Sequence, residues 1–216
     1  MTIDFGKKTG AISLDKGQRV TIAKTPRILA SVTFSKQVDY DVYAVILLRD
    51  GTEKVCSTFG SKAQPTPTAE VLGVKHLGDV QRGGNAEVNT ETLQIELTDQ
   101  IDKIAVTAYS AQANGMGSFK KFKVSMKVDN QQGTTVTVDA NEGNSKNTVY
   151  TCVPAIIHNT AEGVVIEQVE MYSAPGSENR PSFLHKGFTS QGWLGKKVPV
   201  AVGDLAMDAG SRNKFK

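Results

Sequence analysis

Short runs of apolar residues, separated by turn residues, dominate the pattern of this chain. The longest continuous run, Val42–Leu48, is followed by the turn pair Asp50-Gly51, and 52–58 is predicted to return as a hairpin. A run that is apolar at every position is typical of a strand covered on both faces. We therefore expect 39–51 to form a central strand of a β protein.

Further apolar runs, alternating or continuous, predict the remaining strands. They are Arg19–Ala23, Ile28–Phe34, Leu93–Leu97, Ile104–Tyr109, Ser118–Val128, Thr134–Asp139, Thr148–Ile157, Val164–Tyr172 and Phe183–Phe188. The segment Ile12–Gln18 is predicted to be a turn, and 78–91 a long stretch without regular structure. A helical period competes only over Val165–Met171.

Short strands separated by turns, without a sustained helical period, favour an all-β fold. We predict an antiparallel β-sandwich of two sheets with few short helices. No stretch has the composition of a linker, so the predicted organisation is one sandwich domain over 1–195 followed by a basic C-terminal tail over 196–216.

One predicted strand carries a stripe of lysines. Between residues 118 and 128 the apolar positions alternate with Lys120, Lys121, Lys123 and Lys127. Lysines on a strand commonly protect an exposed sheet edge from pairing with another chain. Contact with phosphates is the alternative, and the pattern favours the edge strand.

Composition fits a single globular protein. The chain has 216 residues, of which 39% are hydrophobic and 6% aromatic, which is enough for a core. No stretch approaches the roughly 18 apolar residues of a membrane-spanning helix, and the first residues lack the apolar segment of a secretory signal. We expect a cytoplasmic protein in which Cys56 and Cys152, far apart and outside any CxxC pair, are buried reduced thiols.

The charge is small but uneven. The formal net charge is +3, and 179–216 holds seven Lys/Arg and two Asp out of totals of 25 and 22, which leaves 18 basic and 20 acidic residues before it. A basic C-terminus is most often a solubilising segment, but it also suits an acidic partner or a nucleic acid. Nucleic acid therefore stays open as a partner of the tail.

Oxygen-bearing side chains cluster in two places. Asp39 and Asp41 lie two residues apart at the start of the longest apolar run, where alternation would place both on one side of a strand. The stretch 78–91 carries Asp79, Gln81, Asn85, Glu87, Asn89, Thr90 and Glu91. A hard cation such as Ca²⁺ takes six to eight oxygens and suits such a set, whereas solvated acids and a hydrated connector are the alternative.

Sequence motifs of catalysis are absent. The chain contains no G-x-S-x-G, P-loop or H-E-x-x-H, and His76, His158 and His185 are isolated in the sequence. We therefore expect a protein that is not an enzyme.

Several segments in a fixed order resemble the tellurium-resistance TerD family of bacterial stress proteins. The resemblance covers about residues 11 to 193 and rests on the order and spacing of the segments rather than on one motif. They are Ser13-Leu14-Asp15-Lys16-Gly17, Asp39-Tyr40-Asp41 with Val45–Leu48, His76-Leu77-Gly78-Asp79, Glu91–Leu97, Ile101–Ile104 and Ser118-Phe119.

The resemblance implies a β-sandwich that binds Ca²⁺ through acids on loops at one end. Asp39, Asp41, Asp79 and Glu91 match the acids of the family, and the neighbouring Glu87 and Asn89 complete the candidate metal ligands. The chain departs from the family where Val80 replaces an asparagine and where 86–91 replaces an acidic hexad. Affinity depends on the number of carboxylates, so we expect Ca²⁺ to bind weakly or not at all.

Two functional hypotheses follow from these observations. The first is a non-enzymatic, calcium-binding interaction module of the tellurite and stress-resistance type. The second is a structural or assembly protein, for example a component of a phage virion, that uses a TerD-like sandwich with a weakened calcium site. Both predict a protein partner, either in a homo-oligomer or in a larger assembly, and no integral membrane segment.

Overall fold

The computed structural model describes residues 9–60, 66–80, 87–111, 118–140, 149–174, 176–184, 189–191, 197–199, 201–202 and 204–207. All regular elements in these ranges are strands. In chain order they are β1 (Gly10–Leu14), β2 (Arg19–Ile22), β3 (Ile28–Ser35), β4 (Asp41–Leu48), β5 (Glu53–Cys56), β6 (Glu70–Val71), β7 (Val74–His76), β8 (Val88–Ile95), β9 (Ile101–Tyr109), β10 (Ser125–Asp129), β11 (Thr134–Asp139), β12 (Thr151–Asn159), β13 (Val164–Tyr172), β14 (Pro181–Ser182), β15 (Thr189–Gln191), β16 (Lys197–Pro199), β17 (Ala201–Val202) and β18 (Leu205–Met207).

Two large sheets hold most of these strands and pack face to face. Sheet A has the order β1-β11-β10-β3-β8-β7-β6, and sheet B the order β2-β13-β12-β9-β4-β5. Every described pairing in the two sheets is antiparallel except that of β1 with β11, which is parallel. The predicted all-β sandwich is therefore confirmed.

The core between the sheets consists of side chains that occupy every second position along the strands. Along β3 buried and half-buried positions alternate without a break, and the buried ones, Ile28 to Phe34, join the central apolar cluster. The long run in β4 is buried at nearly every position because sheet B is covered on both faces. The hairpin to β5 forms as predicted, although β4 lies next to the sheet edge rather than at its centre.

A second apolar cluster lies on the outer face of sheet B. Tyr43, Tyr109 and Ile156 belong to it, together with Phe183 and strand β18 from the C-terminal part of the chain. Strand β18 pairs with β14 and with β17 in a small three-stranded sheet. The C-terminal strands thus cover a face that would otherwise be exposed. The predicted boundary between residues 195 and 196 stays a prediction.

Two sequence expectations about local structure are wrong. The segment from Ile12 to Leu14 is part of strand β1, because it pairs in register with β11, and the turn begins only at Asp15. The stretch 78–91 is not structureless to its end, since β8 begins at Val88. Val165–Met171, where a helical period competes, is strand as predicted, because it lies within β13 and pairs with β12 and β2.

The lysine stripe does not lie on an edge strand, so that interpretation is wrong. Residues 118–124 form turns, the strand begins at Ser125, and β10 lies between β11 and β3 in the interior of sheet A. Of the last predicted strand, Phe183–Phe188, residues 185–188 lie outside the described ranges, and the observed strand β14 precedes it.

Both cysteines are buried free thiols, as predicted. Burial raises the pKa of Cys56 to about 11, so its thiol stays protonated at neutral pH. Within the described ranges, no helix is long and apolar enough to cross a membrane.

Candidate functional site

A buried carboxylate, Glu91, lies at one end of the space between the two sheets. In β8 the residues Asn89, Glu91 and Leu93 alternate with outward-facing ones, so the two polar side chains point the same way as the apolar core positions. Glu91 is only 1% exposed. Burial of a carboxylate is costly unless hydrogen bonds or charges compensate it, so its surroundings decide its chemistry.

Two backbone amides donate to Glu91. The Val42 N–H donates to Oε2 at 2.8 Å, and the Val80 N–H donates to Oε1 at 3.1 Å. Strand β5 pairs with β4 only as far as Ala44, so the N–H of Val42 lies on the same strand edge beyond the last partner. Glu91 therefore satisfies an edge amide of sheet B from a strand of sheet A and joins the two sheets at this end.

His76 faces the same carboxylate. Its Nδ1 accepts a hydrogen bond of 3.1 Å from the N–H of Gly78, so the proton of the neutral ring lies on Nε2. Nε2 lies 3.3 Å from Oε2 of Glu91, and both side chains are at most 1% exposed. The imidazole thus turns its N–H side toward the buried carboxylate, although the contact is not aligned as a regular hydrogen bond.

These contacts set the protonation of Glu91. Burial is the largest effect and raises the pKa of the carboxyl above its ordinary value, and the nearby side chain of Asp79 adds to the rise. The contact with His76 and the hydrogen bonds from Val80 and Val42 act in the opposite direction. The net direction is upward, so this carboxylate gains from any additional positive charge in its neighbourhood.

Asn89 leaves a polar group unsatisfied beside Glu91. It is 2% exposed, and its Nδ2 has no hydrogen-bond partner among the described residues. A half-turn of the amide would place its Oδ1 at the same position. Buried amides without partners are uncommon in folded proteins, and an oxygen turned into this space would suit a cation.

The remaining predicted ligands divide into two groups. Asp79 and Glu87 are exposed, and Asp79 is close enough to influence the carboxyl of Glu91. Asp39 and Asp41 are half-buried, but only Asp41 lies in the strand, so the argument from alternation applies to it alone. Asp41 pairs with Tyr109 and shares the side of Tyr43, away from the core face on which Val42 lies.

The structure therefore gathers part of the predicted set. Glu91, Asn89 and Asp79 lie around one end of the sandwich, and the donors are oxygens, which suit Ca²⁺ better than a softer metal. Within the described ranges, no group of three or more His, Cys, Asp or Glu side chains is placed to hold a metal ion. Residues 81–86 of the predicted loop lie outside those ranges.

Sequence reasoning did not include His76 among the residues of this site. The signal was present, because His76 opens the His-x-Gly-Asp segment and follows Val74 with the period of a strand. Nothing in the sequence indicated that the N–H of Val42 would donate to Glu91, because this depends on where the pairing of β5 with β4 ends.

Comparison with known proteins finds similarity among solved structures only. No protein-family profile matches the sequence, and no curated protein matches it. A crystal structure of a homologue of telluride resistance protein (TerD) from Streptomyces coelicolor A3(2) is similar, with 12% sequence identity and a TM-score of 0.49. That match covers 69% of this chain and 90% of the other.

Proposed function

We propose that this protein is a non-enzymatic TerD-like interaction module that takes Ca²⁺ at the end of the sandwich around Glu91 and acts through a protein partner. The observation that carries the proposal is a convergence of distant segments. Val42, in the strand that follows Asp39 and Asp41, and Val80, beside Asp79, both donate to Glu91. These segments are separated from Glu91 by 49 and 11 positions in the chain.

The donor chemistry supports a cation at this end. Oε1 of Glu91 accepts one amide N–H and keeps a second lone pair for a metal, whereas Oε2 accepts one amide N–H and also faces Nε2 of His76. The amide of Asn89 is buried without a hydrogen bond from Nδ2, and Asp79 and Glu87 are exposed. These four side chains would hold the ion, which would supply positive charge to a carboxyl whose pKa burial raises.

Thermal unfolding of the metal-stripped protein, with and without Ca²⁺, tests this proposal. A ligand present at about a hundred times its dissociation constant adds roughly 2.7 kcal/mol of stability. We expect a rise in Tm with millimolar Ca²⁺ that Mg²⁺ does not reproduce. The rise should be lost in Asp79→Asn, whose side chain is exposed and whose replacement should leave the fold intact.

Asp99→Asn is the matched control, because Asp99 is an exposed acid in the turn before β9, at the opposite end of the sandwich. It should keep the full calcium response. An unchanged Tm at millimolar Ca²⁺ in the parent protein would overturn the calcium part of the proposal.

A second function, as a structural or assembly protein such as a virion component, is favoured by another observation. Glu91 already has protein partners on both oxygens and faces His76, as a purely structural carboxylate would. In that case the end of the sandwich is closed by its own hydrogen bonds. Sedimentation velocity over a hundredfold range of protein concentration should then show assembly that is the same in Ca²⁺ and in chelator.

A further inference from the structure

Four exposed lysines form a patch at one end of sheet A. Lys120, Lys121 and Lys123 lie in the turns that precede β10, and Lys36 directly follows β3. The N–H of Ser35 donates to the carbonyl of Phe122 at 2.9 Å, which brings the backbone of Lys36 beside those of Lys121 and Lys123. We name these four residues the lysine patch, and exposed Lys127 continues it along the outer face of β10.

Buried aromatic rings hold the lysine patch in place. Phe119 and Phe122 are at most 2% exposed, and both pack against Tyr40, with centroid distances of 5.1 Å and 6.3 Å. The Nζ of Lys121 lies 5.2 Å from the centroid of the Phe122 ring. The turn that carries three of the lysines is therefore fixed by the core rather than loosely attached to it.

The backbone of this turn is strained. Ser118 and Lys123 have positive φ values of 70° and 53°, in the left-handed region that glycine adopts most easily. A non-glycine residue there costs of the order of 1–3 kcal/mol, and such strain is often associated with function. Position 123 is thus a lysine, although a glycine would be less strained there.

Neither of the common structural explanations accounts for the lysine patch. Strand β10 is an interior strand, so its lysines do not protect a sheet edge. No described carboxylate forms an ion pair with any of the four or with Lys127, whereas Lys75 and Lys103 do form such pairs. Acids also lie close to the patch in the fold: Asp39 is three positions after Lys36, Glu87 precedes the partner strand β8, and Asp139 pairs with Ser125, two positions after Lys123.

We propose that the lysine patch binds the phosphate backbone of double-stranded nucleic acid without reading its sequence. Lysine is a compact point charge that suits phosphates, and three lysines on a rigid turn with a fourth beside it present a concentrated positive charge. The aromatic rings of the turn are buried, so they are not available for stacking on unpaired bases, which is how proteins usually hold single strands.

The same surface lacks the features that a lipid-binding surface usually adds. Membrane docking through lysines is commonly supported by exposed apolar side chains. The large apolar residues that are exposed in the described part of the chain are Leu72, Leu77, Val88 and Leu184. Val88 pairs with Ser35, next to Lys36, so the lysine patch borders one exposed apolar side chain rather than a cluster of them, which favours a polyanion over a bilayer.

The experiment measures binding of the full chain to a fluorescent 20-base-pair duplex of mixed sequence by anisotropy, in chelator so that calcium plays no part. Four phosphate contacts predict a slope of log K against log salt of about −3.6, or a loss on the order of a hundredfold in affinity from 50 to 200 mM salt. Replacing the four patch lysines by glutamine should weaken binding at least tenfold and flatten the slope by about one per lysine.

A matched variant replaces Lys24, Arg27, Lys54 and Lys75 by glutamine. These residues are exposed and lie away from the patch, and the net charge falls from +3 to −1 (3 − 4) in both variants. This control should keep most of the affinity. Equal losses in the two variants would show a general charge effect and overturn the assignment.

Two further outcomes would also overturn it. One is loss of binding when Arg212, Lys214 and Lys216 are replaced by glutamine while the patch variant still binds, which would place the contact on the C-terminal residues. The other is binding to phosphatidylserine vesicles, through the patch lysines, that is tighter than binding to the duplex. Circular dichroism and Tm of each variant establish that it is folded.

Discussion

At the scale of single residues, Glu91 is both a link between the sheets and the centre of the candidate cation site. Its carboxylate accepts from the amides of Val42 and Val80, in segments that lie in or beside opposite sheets. The two amide hydrogen bonds stabilise the ionised side chain of Glu91, whereas burial stabilises its neutral, protonated form. Burial is the larger effect. Folding stability should therefore depend on the protonation of this one group.

Glu91→Gln should remove a specific part of the pH dependence. The folded-state pKa of Glu91 lies above the ordinary value of 4.5, so the folded protein holds this proton more tightly than the unfolded chain does. That contribution to stability is fully present below about pH 4.5 and is lost as pH rises through the raised pKa. Urea unfolding at a series of pH values should show this decline in the parent protein and not in the variant.

The variant also tests the hydrogen bonds. Glutamine keeps one acceptor oxygen but turns an NH₂ toward an amide that donates, so we expect it to cost about 1–3 kcal/mol at low pH. His76→Gln, which leaves Glu91 in place, should keep the decline. If the free energies of unfolding of the parent protein and Glu91→Gln differ by the same amount at every pH, the pH dependence does not come from Glu91.

At the scale of elements, the hairpin of β6 and β7 positions His76. The turn between these strands uses Leu72 and Gly73, with φ values of 49° and 88°. The carbonyl of Gly73 accepts from the N–H of Glu96 at 2.8 Å, so the turn is also tied to the end of β8. This tie fixes the hairpin against the strand that carries Glu91.

Gly73→Ala should destabilise the protein more than Gly51→Ala. Both glycines have positive φ, but an added Cβ at Gly73 would lie 2.6 Å from the carbonyl oxygen of Glu96, whereas at Gly51 nothing lies within 4 Å. We expect about 1 kcal/mol for Gly51→Ala from backbone strain, and about 1–3 kcal/mol more for Gly73→Ala from the clash. Chemical denaturation measures both, and equal losses would show that the hairpin simply shifts to make room.

Most strands could be predicted from the sequence because alternation and turn residues are local signals. Ile28–Ser35 and Thr134–Asp139 lie where the pattern placed them. The lysine turn could not be predicted, since Phe122 continues the alternation of Val124 and Met126 but packs on Tyr40 from a turn. Tertiary packing, rather than the spacing of apolar residues, decides that this segment is a turn and not a strand.

The candidate site was predictable only in part, for a related reason. Sequence places Asp79, Asn89 and Glu91 in one segment, and the resemblance adds Asp39 and Asp41. It does not show that Asp41 shares the side of Tyr43 while Glu91 contacts the amide of Val42. Pairing with β9 determines which residues of β4 face the core and which face the outer side of sheet B.

At the scale of the whole molecule, sheet B is buried between the core and the C-terminal strands. Polar contacts fasten those strands to the sheet: Oε2 of Glu53 accepts from the Ser182 hydroxyl at 3.0 Å and from the Phe183 N–H at 2.7 Å. Lys103 pairs with Asp204, immediately before β18. In the described part of the chain, apolar contacts and hydrogen bonds to side chains hold this cover to sheet B, rather than the continuous pairing found inside each large sheet, and it should open on its own.

Glu53→Ala should loosen this cover while the sandwich stays folded. The change removes the acceptor of two hydrogen bonds, and a bond to a charged group is worth about 1.5–3 kcal/mol. We expect amide hydrogen exchange at Phe183 and in β18 to accelerate about tenfold to a hundredfold, with exchange in β9 and β12 nearly unchanged. Glu70→Ala is the control, because Glu70 forms only an exposed ion pair with Lys75 and such pairs contribute little. If β9 and β12 accelerate as much as β18, the C-terminal strands unfold together with the sandwich and are part of one cooperative unit.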